Sequence, residues 1–398
     1  MAGLLTLDEA LARVLGRVTA LPSEPVAVEH AAGRVLARDA LAATDLPPFA
    51  SSAMDGFAVR SADTPGTLAV TMASAAAGRP ATASVGAGEA IAIATGGVVP
   101  ARADAVVPVE AVVQSGNSIE IPTPVEPGAN IRPQAGDVGA GKTVVRGGAR
   151  LGPAQLGALA AAGLETVECS PRPQAAVLAT GTELRRAGEP LGPGEIYEAN
   201  SLILTAQLEA AGAAVERLDS VGDDEESHRT AIGRGLGADL LVTSGGVSVG
   251  TQDLVRSVGA ALGVEEVFWG VAVQPGKPVF FGLRGATLVF GLPGNPVSSL
   301  VSFELFVRPA VLALQGAASP GPVFLVGRLA ADVVRGASRT RLVRARSRCS
   351  ADAVMLEPLD GQQSHMIARA AEADALVLIE PGEGVVAAGA AARYLPLA

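Results

Sequence analysis

Long apolar runs, aromatic side chains, cysteines and clustered basic residues are all scarce in this 398-residue chain, and each scarcity excludes something. No uninterrupted apolar run reaches the roughly 18 residues of a membrane-spanning helix; the richest stretch, ATLVFGLPGNPVSSLVSF, is broken by Pro, Gly and Asn. The opening MAGLLTLDEALARVL has no basic region and carries Asp8 and Glu9 early, which argues against a secretory signal. A cytoplasmic chain without a membrane partner is expected. Two cysteines, Cys169 and Cys349, exclude a disulfide framework and a Cys-rich zinc site. The three histidines, His30, His228 and His365, lack metal-ligand spacing and read as structural or exposed. Thirty basic against forty acidic residues give a net charge of −10, with no basic stripe of the kind that binds nucleic acid. The nearest candidate, SRTRLVRARSR at 338–348, alternates at strand spacing and reads as a solvated strand face.

What is present is small and apolar. Hydrophobic residues make up 49% and charged ones only 18%, a balance that packs rather than disorders, in a chain long enough for two to four domains. TLDEALARVLGRV predicts a helix with a Thr6–Glu9 capping box, and the first forty residues read as helical. From 43 to about 139, short runs such as TLAVTMAS, EAIAIATGG and NSIEIPTPV alternate with Gly, Pro and Asn turns, a β texture. Residues 150–167 return to helix, with Pro153 in the first turn and Gly163 at the C-terminal cap. A β-domain thus reads as inserted between two helical segments. From 169 to about 318 continuous apolar strands alternate with helices, which predicts a parallel sheet covered on both faces. The remainder, 319–398, is β again.

In such sheets ligands bind beyond the carboxyl ends of the strands. The runs AAVLAT, VERLDSV, LLVTS and TLVFG lead, respectively, to Glu183, to Asp223 and Asp224, to GGVSVGTQD with Asp253, and to LPGNPVSS. Gly245, Gly246 and Gly250 allow close backbone approach to an anion, with Ser244 and Ser248 as hydroxyl donors. Pro293, Gly294, Asn295, Pro296 and Ser298 repeat the theme. Carboxylates beside phosphate-accepting turns repel the phosphate unless a cation lies between, and Glu183, Asp223 and Asp253 are hard donors suited to Mg²⁺. Blander readings stand beside each: Asp223 and Asp253 also suit helix caps, Glu183 a solvated turn, Lys277 the surface, and PPFASSAMDGFAV a Pro-rich linker and hairpin.

Taken in order, PPFASSAMDGFAV, ATGGVVP, TGTEL, VTSGGVSVGTQD, QPGKPVFFG, GLPGNPVSSLVSFELFVRP and GQQSHM resemble the molybdopterin molybdotransferase family of the MoeA type, related to the gephyrin E domain. The resemblance implies a multidomain α/β fold: a helical domain (1–42 and 140–168), an inserted β-domain (43–139), a parallel α/β molybdopterin-binding domain (169–318) and a C-terminal small β-barrel (319–398). It implies a homodimer whose active site combines the α/β domain of one subunit with the inserted domain of the other. The implied reaction inserts molybdate into adenylated molybdopterin with loss of AMP and needs a divalent cation, Mg²⁺ at Glu183, Asp223 and Asp253. A molybdopterin adenylyltransferase is the implied supplier of substrate. Matching positions make Asp55, Thr95, Glu183, Asp223, Asp253, Lys277, Arg344 and Ser364 the site residues, with the turns at 245–250 and 293–296 cradling pterin and phosphate. Some members carry lysines where this chain has Gly270 and Gln274. Weaker oxyanion affinity is expected, with Lys277 and Arg344 as the remaining cations. Competing readings of the same residues are a molybdopterin adenylyltransferase, a non-catalytic scaffold and a nucleotide hydrolase.

Overall fold

A computed structural model describes residues 4–246 and 254–397; the candidates Ser248, Gly250 and Asp253 lie outside the described residues. Helix α1 (Leu7–Leu15) begins at the expected capping box: Thr6 Oγ1 accepts from the Glu9 N–H, and the Glu9 carboxylate accepts from the Thr6 N–H. Its buried Leu7, Ala10 and Val14 join the core of the α/β unit, not the helical segment expected around 1–42. The rest of that segment is largely extended. Glu24–Ala27 pairs antiparallel with Thr166–Cys169, and Ala40–Leu41 pairs with Thr143–Val145. These ladders bring together the two chain segments that flank the insertion. Helix α2 (Pro153–Ala161) starts with Pro153, and Gly163 follows it at φ +80°.

The inserted unit is a six-stranded sheet of β1 (Gly56–Val59), β2 (Gly66–Ala75), β3 (Glu89–Ile93), β4 (Ala105–Pro108), β5 (Val113–Ser115) and β6 (Ser118–Ile121), in the order β4-β1-β3-β2-β6-β5. Phe57, Val59, Leu68, Val107, Ile119 and Ile121 form its core, placed there by the two-residue alternation of strand side chains.

The α/β unit holds β7 (Gln174–Ala179), β8 (Ala214–Arg217), β9 (Leu240–Ser244), β10 (Glu265–Trp269), β11 (Phe280–Arg284) and β12 (Thr287–Leu292), ordered β8-β7-β9-β12-β11-β10. β8, β7, β9 and β12 are parallel, as their continuous apolar runs predict. β11 pairs antiparallel with β12, because only Gly285 and Ala286 separate them and so short a link permits only a hairpin, and β10 pairs antiparallel with β11. Helices α3 (Asn200–Ala210), α4 (Glu225–Gly235) and α5 (Leu254–Ala261) cover the sheet, followed by α6 (Pro296–Ser302), a π-helical turn (Phe303–Val307) and α7 (Arg308–Leu314). The last three form one helix, Pro296–Leu314, which is long and apolar enough to cross a membrane; 78% of its apolar window is buried inside the protein, so it is a core helix. The expectation of no uninterrupted apolar run of that length stands, since Glu304 and Arg308 lie within the helix, but Pro296 opens the helix rather than breaking it, and Pro309 falls at the start of α7. Glu304 and Arg308, inside the run, neutralise each other, and Gln207 donates to Glu304 Oε1 at 2.7 Å.

The C-terminal strands β13 (Leu325–Leu329), β14 (Thr340–Cys349), β15 (Val354–Pro358), β16 (Ala375–Ile379) and β17 (Ala391–Pro396) close on themselves in the circuit β14-β15-β13-β17-β16-β14, the expected small barrel. A short strand, Val273–Gln274, leaves the α/β unit and pairs parallel with Thr340–Arg341 of β14. The barrel is thereby fastened beside the carboxyl ends of the parallel strands.

Candidate active site

At those strand ends the sequence builds a cavity of about 840 Å³, lined by Glu183, Asp223, Ser244, Gly245, Gly246, Pro293, Gly294, Asn295 and Pro296 among others. Three of the four predicted turns therefore converge directly, and the fourth contributes its described part. Thr180, the residue after β7, donates its N–H to the Ser244 carbonyl (2.9 Å), and the Gly181 N–H reaches the Val221 carbonyl (3.0 Å). These bonds continue the parallel ladder past the strands and hold the acidic turns side by side. Thr182 Oγ1 donates to Asp223 Oδ2 at 3.2 Å, linking the turn of Glu183 to that of Asp223.

Two glycines are required here by geometry. Gly245 has φ +94°, and a Cβ on it would lie 2.5 Å from the Thr180 carbonyl oxygen; at Gly181, φ +152°, a Cβ would meet Glu183 Oε2 at 2.5 Å. Neither position accepts a side chain. Asp224, not Asp223, caps α4: its carboxylate accepts from the Ser227 N–H at 2.8 Å, and that backbone bond is the main cause holding its pKa below the ordinary value. Asp223 is left to face the cavity.

Asn200, the first residue of α3, was given no role by sequence reasoning. Its Nδ2 donates to Ser244 Oγ (2.8 Å) and to the Gly294 carbonyl (2.6 Å), and Ser244 Oγ donates to the Pro293 carbonyl (3.2 Å). One amide thus clips the serine–glycine turn to the proline–asparagine turn. The only sequence signal was an Asn at a helix start.

A second cavity of about 500 Å³ adjoins the first, the two sharing Pro278, Pro293, Asn295 and His365. Lys277, Ser298 and Ser364 line it, as do Arg339 and Arg341 from the barrel. The charges of the two spaces are opposite. Among the described residues lining the first, Glu183, Glu198 and Asp223 are charged and none is Lys or Arg; the second has Lys277, Arg339 and Arg341 and no Asp or Glu. Glu198 is engaged elsewhere, accepting from the Ser201 N–H at 2.7 Å.

Arg344 departs from expectation. It is 2% exposed and donates to the backbone carbonyls of Met366 (2.9 Å), Gly361 (2.7 Å) and Gln363 (3.1 Å). Burial pulls its pKa below the ordinary arginine value. Its work is to hold the GQQSHM loop, whose Ser364 carbonyl accepts from the Val297 N–H of α6 at 3.1 Å. SRTRLVRARSR reads as one solvated strand face, but Arg344 stands three residues from Arg341 and so on the opposite face, where the GQQSHM loop covers it.

Asp55 and Thr95 lie together in the inserted unit. Asp55 Oδ1 accepts from the Thr95 N–H (2.6 Å) and hydroxyl (2.9 Å); the backbone bond first, then the hydroxyl, holds the Asp55 pKa below the ordinary carboxylate value. Both residues are exposed, and neither lines either cavity of its own chain.

Three family models match in order: the MoeA N-terminal region (domain I and II) over residues 5–163, a probable molybdopterin binding domain over 176–313, and the MoeA C-terminal region (domain IV) over 326–397. Similar sequences include molybdopterin molybdenumtransferase 2 of Mycobacterium tuberculosis, 38% identical over 309 residues that cover 74% of this chain and 76% of that one. A molybdopterin molybdenumtransferase of Staphylococcus aureus is 30% identical over 392 residues, 97% of this chain and 94% of its own. The crystal structure of the molybdopterin biosynthesis MoeA protein from Pyrococcus horikoshii OT3 superposes with a TM-score of 0.86 at 27% identity, covering 99% of this chain and 100% of that one. With models spanning all three regions and relatives matched over most of their length, this chain belongs to the MoeA family of molybdopterin molybdenumtransferases and has that family's transferase role in handling molybdopterin.

Proposed function

We propose that the chain inserts molybdenum, taken up as molybdate, into adenylated molybdopterin, with hydrolysis of the adenylate and release of AMP. The observation that carries this reading is the pair of adjoining cavities of opposite charge. A substrate with a pyrophosphate needs a cation on one side, and a tetrahedral oxyanion needs positive charge on the other. The turns at 244–246 and 293–296 suit the pterin and phosphate end, since Gly245, Gly246 and Gly294 leave the backbone uncovered. The start of α6, beside Asn295 and Pro296, adds the positive end of a 19-residue helix.

Glu183 and Asp223 are the residues that would hold Mg²⁺, and Asp253 is the third ligand implied by the resemblance. Among the described residues no group of three or more His, Cys, Asp and Glu side chains is arranged to hold a metal. Two carboxylates agree with how Mg²⁺ usually binds, through one or two carboxylates with phosphate oxygens and water completing the shell. When bound, the cation neutralises the pyrophosphate and polarises it toward attack. The chain's own part is to orient: Thr182 fixes the Asp223 carboxylate, and the Asn200 clip sets the spacing of the two anion-binding turns. Lys277 and Ser364, which line the same cavity, offer the oxyanion a positive charge and a hydroxyl.

Asp55 and Thr95 enter as a proposed contribution in trans, from a second copy of the chain in a homodimer. Their exposure and their absence from both cavities of their own chain support this.

The test is AMP release from adenylated molybdopterin with and without molybdate and Mg²⁺. Release that needs both ions, and is lost in Asp55→Asn, is expected. Mixing Asp55→Asn with Glu183→Gln should restore about a quarter of wild-type activity, since a two-fold heterodimer of these variants keeps one intact composite site. Hydrolysis indifferent to molybdate would replace this reading with a nucleotide hydrolase.

A further inference from the structure

Pro278, Pro293, Asn295 and His365 line both cavities and so stand where the two spaces meet. Two of them are prolines and one is an amide. His365 alone of the four carries an imidazole, the side chain that gives and takes a proton near neutral pH. It is exposed, and the proposed reaction has so far given it no task.

The loop that carries His365 is held on both sides of it. Arg344 donates to the carbonyls of Gly361, Gln363 and Met366. The Gln362 amide accepts from the Arg344 N–H at 3.0 Å and donates to the Arg344 carbonyl at 2.9 Å. The Ser364 carbonyl accepts from the Val297 N–H, and the His365 carbonyl from the Ile367 N–H. The backbone is thus fixed while the ring is not. The His30 ring lies beside Glu29 and His228 Nδ1 meets the Asp224 carbonyl, but among the described residues no hydrogen bond or ion pair takes the His365 ring. A loop braced by its neighbours and presenting one free functional group is how a reacting side chain is kept in place.

The proposed reaction needs such a group at this boundary. Molybdopterin takes up its metal through two neighbouring thiols. Joining them to one molybdate forms two Mo–S bonds, breaks one Mo–O bond and two S–H bonds, and yields a trioxo-molybdenum dithiolate and one water. Both thiol protons leave on the departing oxygen, and nothing is oxidised or reduced. Protons must therefore pass from sulfur to oxygen, between the space that suits the pterin and the space that suits the oxyanion. Glu183 and Asp223 line only the first space and Lys277 only the second, whereas His365 borders both.

We infer that His365 is a catalytic residue of this reaction: its imidazole takes a proton from a substrate thiol and delivers it to the molybdate oxygen that leaves as water. The inference rests on the insertion reaction proposed above.

The experiment follows a single turnover of the full chain loaded with adenylated molybdopterin and mixed with molybdate and Mg²⁺, reading the loss of free thiols in substrate released by quenching. His365→Ala is expected to slow this loss about 100-fold while leaving the affinity for adenylated molybdopterin within about threefold of wild type. His365→Gln, which keeps a polar side chain but cannot exchange the proton, should be as slow. Because position 365 is exposed, added imidazole can enter the space left in His365→Ala and should restore the rate to about a tenth of wild type. Wild-type rates in His365→Ala overturn the inference and leave the insertion reaction standing. A loss that imidazole does not restore also overturns it, and marks the ring as structural. If the wild-type protein consumes no thiols with molybdate, the proposed function falls and the role of His365 falls with it.

Discussion

Asn200 Nδ2 lies 2.8 Å from Ser244 Oγ and 2.6 Å from the Gly294 carbonyl oxygen, so a single amide spans two turns that also bond to each other between Ser244 and Pro293, 49 residues apart in sequence. The relationship matters because, among the described residues, the side-chain bonds that join the two turns are those of Asn200 and of Ser244 itself. Ser244–Gly246 follows a buried strand and 293–296 precedes a buried helix; between them, the clip and the Ser244–Pro293 bond set the cavity's width.

Asn200→Ala is therefore expected to loosen the substrate site without unfolding the sheet. The affinity for adenylated molybdopterin should drop about tenfold, roughly 1.4 kcal/mol, while the melting temperature changes little. Asn200→Asp should be worse than Ala, because a carboxylate would then face the Gly294 carbonyl with no proton to give. Equal binding by the three proteins would show that the turns hold themselves.

The Asp55–Thr95 pair makes a prediction in pH. The Thr95 N–H, then its hydroxyl, depress the carboxyl pKa, so the bonds' contribution is complete above the unfolded value of about 3.9. It is lost as pH falls through the lower folded-state value. Thr95→Val keeps the backbone bond and removes the hydroxyl. The Asp55 pKa should move up toward the ordinary value and stop short of it, as read from side-chain carboxyl shifts in an NMR titration. A pKa that stays put would show that the hydroxyl does not act on the carboxylate.

Arg344 predicts a local stability effect. Arg344→Ala leaves three carbonyls of the 361–366 loop without their donor and should cost about 3 kcal/mol, read by denaturant titration, with faster hydrogen exchange confined first to that loop. Arg344→Lys should recover only part, since one ammonium cannot match the geometry of a planar fork. If Arg344→Ala preserves loop protection but removes oxyanion binding, Arg344 belongs to the ligand and not to the loop.

The architecture was legible where periodicity is dictated by burial. The capping box at Thr6 and Glu9, the apolar strands that became β7, β9 and β12, the alternating strands of the insertion and the β character of the last region follow from residue spacing, because a buried face imposes a fixed repeat on its side chains; that the last region closes into a barrel was implied by the family resemblance alone. Convergence of Glu183, Asp223, Ser244 and Pro293 was legible too, since parallel strands all end at the same edge of the sheet.

What the sequence could not decide were relations between residues on different elements. Arg339, Arg341 and Arg344 sit in one basic stretch that reads as a single solvated face, yet the odd spacing of Arg341 and Arg344 puts them on opposite faces; the fold set Arg344 onto three carbonyls and left Arg339 and Arg341 lining the cavity of Lys277. Asn200 looked like an ordinary helix start until two distant turns came within 3 Å of it. The α1 helix was identified from its own residues, but its docking on the α/β core depended on Phe303, Phe306 and Val307, which are nearly 300 residues away. Local spacing therefore determined which elements form and which ends carry chemistry. Only the tertiary structure decided which side chain meets which, because hydrogen bonds and charges act over a few ångströms and the chain crosses that distance in an order that no local pattern records.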